Sequence, residues 1–285
     1  MKVVILGGNG YLGSKLGQYL FEQGIEVYSA VRREVEQSWA QEVWQLNDLE
    51  ERLQTESIDW VINCITCYER GLHTSEDVLN ANYVKPFYYF SLAAENGIRK
   101  FMTMDSGLPA ECNLYSRSKK QFADSIEWKL NEICGENEYT FWNIKLENFY
   151  GEDEAKDRFI PGTIDKLFRN EQILLTKGTQ IRDFIYIGDV VKNIEKLLCI
   201  QEKGRIDVPL GTGMGVTVHD AIVYLKEITV SQSKLCFGAV RARRIDPDCI
   251  ADIAKMEQYN LEVLYDWKKG FQYITDKRRN TEDKK

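Results

Sequence analysis

The chain has 285 residues, with 37 Lys and Arg against 44 Asp and Glu, a formal net charge of −7, 44% hydrophobic residues and 28% charged ones. These proportions fit a globular protein and exclude global disorder, a fibrous repeat and a coiled coil. The acidic balance also excludes a chain whose main task is to coat nucleic acid or an anionic membrane, because either needs a net basic face.

Met1 leads into the apolar run at residues 3–6, which is too short for a signal-peptide core and ends in glycines instead of a small-residue cleavage site. No stretch of about 18 uninterrupted apolar residues occurs, so no membrane span is expected. Seven cysteines are scattered along a chain too long to need covalent staples. That usage fits a reducing compartment and a cytoplasmic protein.

Residues 2–6 (KVVIL) read as a strand that opens into glycines, residues 14–23 as a helix ended by Gly24, and residues 25–31 as a second strand. Between strand and helix, Gly7-Gly8-Asn9-Gly10-Tyr11-Leu12-Gly13 fits GxxGxxG. Glycines suit such a turn because it needs positive φ, a backbone that can approach a pyrophosphate, and a helix packed close to the strand. The amides of the helix N-terminus then face the phosphate charge. Gly7, Gly10, Tyr11, Leu12 and Gly13 are therefore candidate dinucleotide contacts, with an ordinary tight turn as the alternative. An NAD site commonly puts Asp or Glu at the tip of the second strand, whereas an NADP site needs cations for the extra phosphate. Here that strand ends in Arg32-Arg33 with no acid at its tip. NADP(H) is favoured, and the alternative is a solvated strand end.

Residues 60–65 read as the next strand, running into Cys64-Ile65-Thr66-Cys67. The CITC pair lacks a second Cys or Cys/His pair at zinc spacing, and the whole chain holds two histidines. The cysteines are read as small buried hydrophobes and no metal is expected. Thr66 is counted among the cofactor contacts. A helix at 83–95 closed by Asn96-Gly97, a strand at 99–104, a helix at 116–133 and a strand at 139–146 follow. This alternation predicts an α/β protein with a Rossmann-type, doubly wound parallel sheet.

The strand at 99–104 leads to Ser106, and Tyr115-Ser116-Arg117-Ser118-Lys119 puts a phenol and an ammonium at i and i+4, one face of a helix. A ketone reductase can use this pair directly: Tyr donates the proton, while Lys⁺ lowers its pKa and holds the nicotinamide ribose. Tyr-x-x-x-Lys occurs four times, at 11/15, 115/119, 265/269 and 273/277. Only the pair at 115 and 119 opens a helix at the carboxyl edge of the predicted sheet with a hydroxyl, Ser106, upstream. Ser106, Tyr115 and Lys119 are the candidate catalytic residues, with an ordinary turn serine as the alternative for Ser106.

After Gly151 the alternation loosens. The expected division is a dinucleotide-binding domain at 1–150 and a smaller, mixed substrate domain at 151–285, with the segment at about 181–200 packing back on the first. The final TDKRRNTEDKK reads as a solvated, frayed tail.

Together, GGNGYLG, YSRSK and RDFIYIGDVV resemble the glycine turn, catalytic pair and late R-D-F segment of the extended short-chain dehydrogenase/reductase family, over nearly the whole chain. That family carries nucleotide-sugar epimerases, dehydratases and ketoreductases. INCITCYERGLH, DSGLP followed by LYSRSK, and KLENFYG are most similar to its CDP-paratose and CDP-abequose synthases, which reduce a 4-keto sugar. The resemblance implies substrate contacts at Asn148 and Arg182, both towards the diphosphate, at Arg243, and at Asn82, which it places in support of the catalytic neighbourhood. For Arg182 a structural pair with Asp183 or Asp189 is the alternative, and for Asn82 a helix cap. Ile245 stands where the family has glycine, so Arg244 competes with Arg243. Gly107-Leu108 follows Ser106 where the dehydratases carry Asp-Glu, which argues against dehydration. His73 is read as a loop residue, with a substrate contact as the lesser alternative.

What the resemblance implies is NADPH-dependent reduction of the C4 keto group of a CDP- or dTDP-linked 4-keto-6-deoxy or 3,6-dideoxy hexose. A 4-epimerase with tightly bound NAD and a non-catalytic NADP(H) sensor are the rivals. By the same analogy a homodimer is expected through the helices at 83–95 and 116–133.

Overall fold

The computed structural model describes residues 1–33, 35–133 and 138–282. It opens with β1 (Lys2–Leu6), whose four apolar residues are completely buried, as in a strand covered on both faces. Then follow α1 (Tyr11–Glu22), β2 (Glu26–Val31), β3 (Glu42–Gln45), α2 (Leu49–Thr55), β4 (Trp60–Asn63), α3 (Ser75–Leu79), α4 (Lys85–Glu95), β5 (Lys100–Ser106), α5 (Leu114–Ile133) and β6 (Thr140–Leu146). A single π-helical turn, Asn80–Val84, joins α3 to α4. The rest comprises β7 (Asn148–Tyr150), α6 (Phe159–Phe168), β8 (Ile173–Leu174), β9 (Ile181–Tyr186), α7 (Ile187–Leu198), β10 (Gly204–Leu210), β11 (Gly215–Thr217), α8 (Val218–Thr229), β12 (Leu235–Cys236), α9 (Ile253–Gln258) and α10 (Trp267–Glu282).

Seven strands form the central sheet in the order β10-β6-β5-β4-β1-β2-β3. The ladders β1/β2, β1/β4, β2/β3 and β4/β5 are parallel. The strand order reverses at β1, between β2 and β4, so the fold is the doubly wound Rossmann type, and its crevice lies at the carboxyl ends of β1 and β4. Phe101 on β5 and Phe141 on β6 stack at 5.9 Å and 8°, while Phe90 of α4 and Phe122 of α5 meet them edge-on. These four rings are at most 1% exposed. They fix the level of α5 against the sheet, which matters because α5 carries Tyr115 and Lys119.

The chain divides into two compact units, residues 1–145 with 191–208, and residues 146–190 with 209–285. Both units are therefore discontinuous in sequence, where the sequence suggested 151–285 for the second with the segment at about 181–200 packing back on the first. Residues 191–208 belong to the first unit because β10 closes the sheet beside β6.

In the second unit β9 lies between β11 and β7. The segment read as a frayed tail is instead mostly helix α10, to residue 282; residues 283–285 lie outside the described part. Phe271, Ile274 and Thr275 are fully buried there, and Arg278 pairs with Asp165 and donates to the Glu154 carbonyl at 3.2 Å. Apolar residues spaced three and four apart in a polar-looking sequence account for the helix.

Candidate active site

Gly7 ends β1 with φ +81°, and its amide donates to the Ala30 carbonyl at 2.8 Å, which ties the turn to β2. A Cβ on Gly13 would sit 2.4 Å from the Gly7 carbonyl oxygen, and one on Gly8 2.1 Å from Ser29 Oγ. A side chain at Gly13 would have to move the turn, and one at Gly8 would have to displace the Ser29 side chain. Gly10 caps α1 with no side-chain hydrogen bond, and no acidic residue occupies the first turn. The helix start is left suited to an anion. Arg32 and Arg33 are exposed at the end of β2. Trp39, 5% exposed, lies against Gly8 and Gly17 and backs the turn.

The loop after β4 links this turn to the catalytic candidates. A Cβ on Gly7 would approach Ile65 to 3.1 Å, and the Ile65 carbonyl accepts from Lys119 Nζ at 2.7 Å. Lys119 is 2% exposed, and burial brings its pKa down to about 8, with Asp105 opposing. Cys64, beside it, is pushed up to about 12 by burial. Tyr115 meets Thr66 and Tyr68 with its hydroxyl, and its ring lies 4.4 Å from that of Tyr68 at a 36° tilt. Burial holds the Tyr115 phenol well above its ordinary range, Tyr68 and Asp105 add to this, and the hydrogen bond from Thr66 opposes it. The expectation of a phenol acidified by Lys119 is therefore not met in this arrangement. Lys119 is committed to a carbonyl, and desolvation of the phenol dominates.

Ser106 ends β5 at 5% exposure, its Oγ accepting from the Leu108 amide at 3.1 Å and so keeping its proton for another acceptor. Ser106, Tyr115, Lys119, Thr66 and the glycine turn thus lie in the first unit, and Ile65 meets both the turn and Lys119. Among the described residues no group of three or more His, Cys, Asp or Glu is placed to hold a metal, and no helix is long and apolar enough to cross a membrane.

Sequence comparison places this geometry. The NAD dependent epimerase/dehydratase family matches residues 3–207, well over half of the chain. The chain belongs to that family. It is 28% identical to the CDP-abequose synthase of Salmonella typhimurium over 95% of this chain and 94% of that protein. Among solved structures it resembles the UDP-glucose 4-epimerase of Thermotoga maritima with UDP-glucose, at a TM-score of 0.84 and 18% identity over 99% of each chain. It also resembles MoeE5 in complex with UDP-glucuronic acid and NAD, at a TM-score of 0.86 and 19% identity over 99% of this chain and 100% of that one. These likenesses establish the Rossmann-type fold.

Other residues singled out as family contacts have structural partners here. Asn82 is fully buried and spends its amide on both backbone groups of Cys67, accepting at 2.9 Å and donating at 2.8 Å. It therefore braces the loop that carries Ile65 and Thr66, while the cap of α3 is Thr74. In the second unit Arg182, 7% exposed, pairs with Asp246 and donates to the Ile181 and Pro247 carbonyls at 2.7 Å each. Neither Asp183 nor Asp189 is its partner. Asp183 accepts from Thr212, Gly213 and Ala251, and Asp189 from the Leu264 and Tyr265 amides. Arg243 and Arg244 are exposed in the irregular stretch before Asp246. Asn148 begins β7 in register with Phe184. His73 lies 4.0 Å from Asp77 on the surface. Three residues of this family member's site went unmarked in the sequence: Tyr68 against Tyr115, and Asp105 with Lys120 beneath Ser106. Tyr68 and Asp105 stand within the quoted motifs, and their only signal was that proximity.

Proposed function

We propose that this family member uses NADPH to reduce the C4 keto group of a CDP- or dTDP-linked 4-keto-6-deoxy or 3,6-dideoxy hexose. The observation that carries the reading is the meeting at Ile65 of the glycine turn and the Lys119 ammonium, with Tyr115 bound to Thr66 one residue on. The cradle fits a dinucleotide: positive φ at Gly7, no room for Cβ at Gly8 and Gly13, and an uncapped helix start. Gly7, Gly10, Tyr11, Leu12 and Gly13 would hold the pyrophosphate, Arg32 and Arg33 the 2′-phosphate, and Thr66, Tyr115 and Lys119 the nicotinamide end. When bound, NADPH supplies the hydride. Tyr115 delivers its proton to the carbonyl oxygen, Ser106 donates a hydrogen bond to the same oxygen, and the Lys119 charge favours the phenolate left behind.

The relatives annexed by sequence include a CDP-abequose synthase along nearly its full length, which supports a nucleotide sugar and a deoxy product. Arg32-Arg33 at the strand tip supports NADP(H), although MoeE5 is named with NAD. Asn148 and Arg243 are proposed to meet the diphosphate, whereas Arg182 would first have to give up Asp246. A homodimer through α4 and α5 goes with the same reading: Tyr88 and Trp128 are 48% and 63% exposed on those helices, while Tyr89 faces the core. So does a cytoplasmic location.

Purified protein mixed with NADPH and CDP- or dTDP-4-keto-6-deoxyglucose is expected to consume the reduced nicotinamide. Failure with both of these sugars and with their 3-deoxy counterparts removes the proposal. Purification with NAD tightly held, and isomerisation without net oxidation, would instead mark a 4-epimerase.

A further inference from the structure

Lys120, next to the catalytic lysine, points into the protein. Its ammonium lies 2.9 Å from Asp105 Oδ2 and also donates to the Ser106 carbonyl. Asp105, its side chain 1% exposed, accepts the Ser106 amide at 2.6 Å on the other oxygen and the Asn143 amide at 3.3 Å. Asn143 continues at 2.9 Å to Asp207 of β10, which binds Lys145 at 2.8 Å and Arg205 at 3.1 Å.

We propose, resting on the reductase reading, that Asp105 and Lys120 are positioning residues: the ion pair of the buried Asp105 with the half-buried Lys120 clasps the end of β5, with Ser106, to the turn of α5 that carries Tyr115 and Lys119. Lys120 reaches the strand by both a side-chain carboxylate and a main-chain carbonyl, so the strand end cannot shift along the helix without breaking two charge-assisted bonds. The clasp also sets charge. The groups facing Lys119 are Asp105 from β5 and Cys64 from the loop after β4, and those facing Tyr115 are Tyr68, Thr66 and Asp105. Asp105 is the carboxylate common to both.

Opposite substitutions therefore have opposite electrostatic effects. Asp105→Asn removes the negative charge that opposes the lowering of Lys119 and leaves Lys120 unbalanced, so the lysine should lose its proton at lower pH. Lys120→Met leaves Asp105 unbalanced and should move the titration the other way. A purely structural role predicts lost activity without these opposed shifts.

The test is NMR titration of the Lys119 side chain in protein carrying ¹³C-labelled lysine, assigned by its absence in Lys119→Met, together with the pH profile of kcat. Expected are titrations displaced by about one unit, downward in D105N and upward in K120M, at Coulomb distances of a few ångströms. The kcat should fall roughly tenfold in both, whereas Lys120→Arg, which keeps the charge, should stay within about threefold of the unsubstituted protein. Unmoved titrations, or shifts of the same sign, would overturn the clasp. The NMR arm needs no substrate, so an inactive wild type would sink the reductase reading while leaving this one decided. Should K120M not fold, Lys120→Gln makes the same charge change.

Discussion

Tyr115 is held by two hydroxyl neighbours and a tilted ring, so removing its oxygen tests chemistry more than packing. Tyr115→Phe is expected to lower kcat by about a hundredfold or more while NADPH affinity, read by fluorescence titration, stays within about threefold. Arg33→Asp should weaken NADPH by about tenfold and leave NADH nearly unchanged, since only the 2′-phosphate loses a cation. Asn82→Ala strands the half-buried Cys67 amide and carbonyl, and should cost about 1–3 kcal/mol in denaturant unfolding. The pair Tyr115/Lys119 could be proposed from the sequence because i and i+4 on a helix share a face, and the upstream hydroxyl, Ser106, set it apart from the other three Tyr-x-x-x-Lys pairs. Asp105, Lys120 and Tyr68 were not, because their partners come from other elements: Asn143 lies 38 residues from Asp105, and Tyr68 sits on a loop that only the fold brings to Tyr115. Arg182 shows the same blindness. Its partner, Asp246, is 64 residues away and lay inside the stretch singled out for Arg243.

The strand-turn-helix opening could be read before the structure because glycine spacing, a β-branched strand and an apolar helix face all pointed one way. Its tightest point predicts a clear failure. Gly13→Ala would put a methyl 2.4 Å from the Gly7 carbonyl oxygen, and NADPH affinity is expected to fall by about tenfold or more as the turn opens. β3 and α2 carried too short an apolar pattern to stand out, at four and seven residues. Residues 275–282, the second half of α10, read as a tail because they are almost all polar; the burial of Phe271, Ile274 and Thr275 that anchors the helix is set by tertiary packing. The edge strand β10 is tied to β6 through Asp207. Burial alone would raise that carboxyl, but hydrogen bonds from Lys145, Arg205 and Asn143 outweigh it and bring it to about 2. A depressed folded pKa stabilises above the unfolded value and loses its effect as pH falls through the folded one. Asp207→Asn should therefore cost about 2 kcal/mol at neutral pH, and urea unfolding curves for the two proteins should converge as pH drops from about 4 to 2.

At the scale of the molecule, the glycine turn, the strand-tip arginines, Ser106, Tyr115 and Lys119 lie in the first unit, and Asn148, Arg182 and Arg243 in the second. The alternation of strand and helix made the first unit readable from sequence. The return of residues 191–208 to its sheet was only partly so, because β10 is a single edge strand with a mixed burial pattern and no flanking repeat of the alternation. The central claim is that hydride passes from NADPH to C4 of a nucleotide-linked keto sugar beside Tyr115. It is tested most directly by incubating the protein with CDP-4-keto-6-deoxyglucose and NADPH deuterated at both positions of nicotinamide C4, then examining the sugar by NMR. The account predicts one deuterium bonded to sugar C4 and stoichiometric NADP⁺; a sugar recovered without deuterium, or isomerised with the labelled cofactor intact, would contradict it.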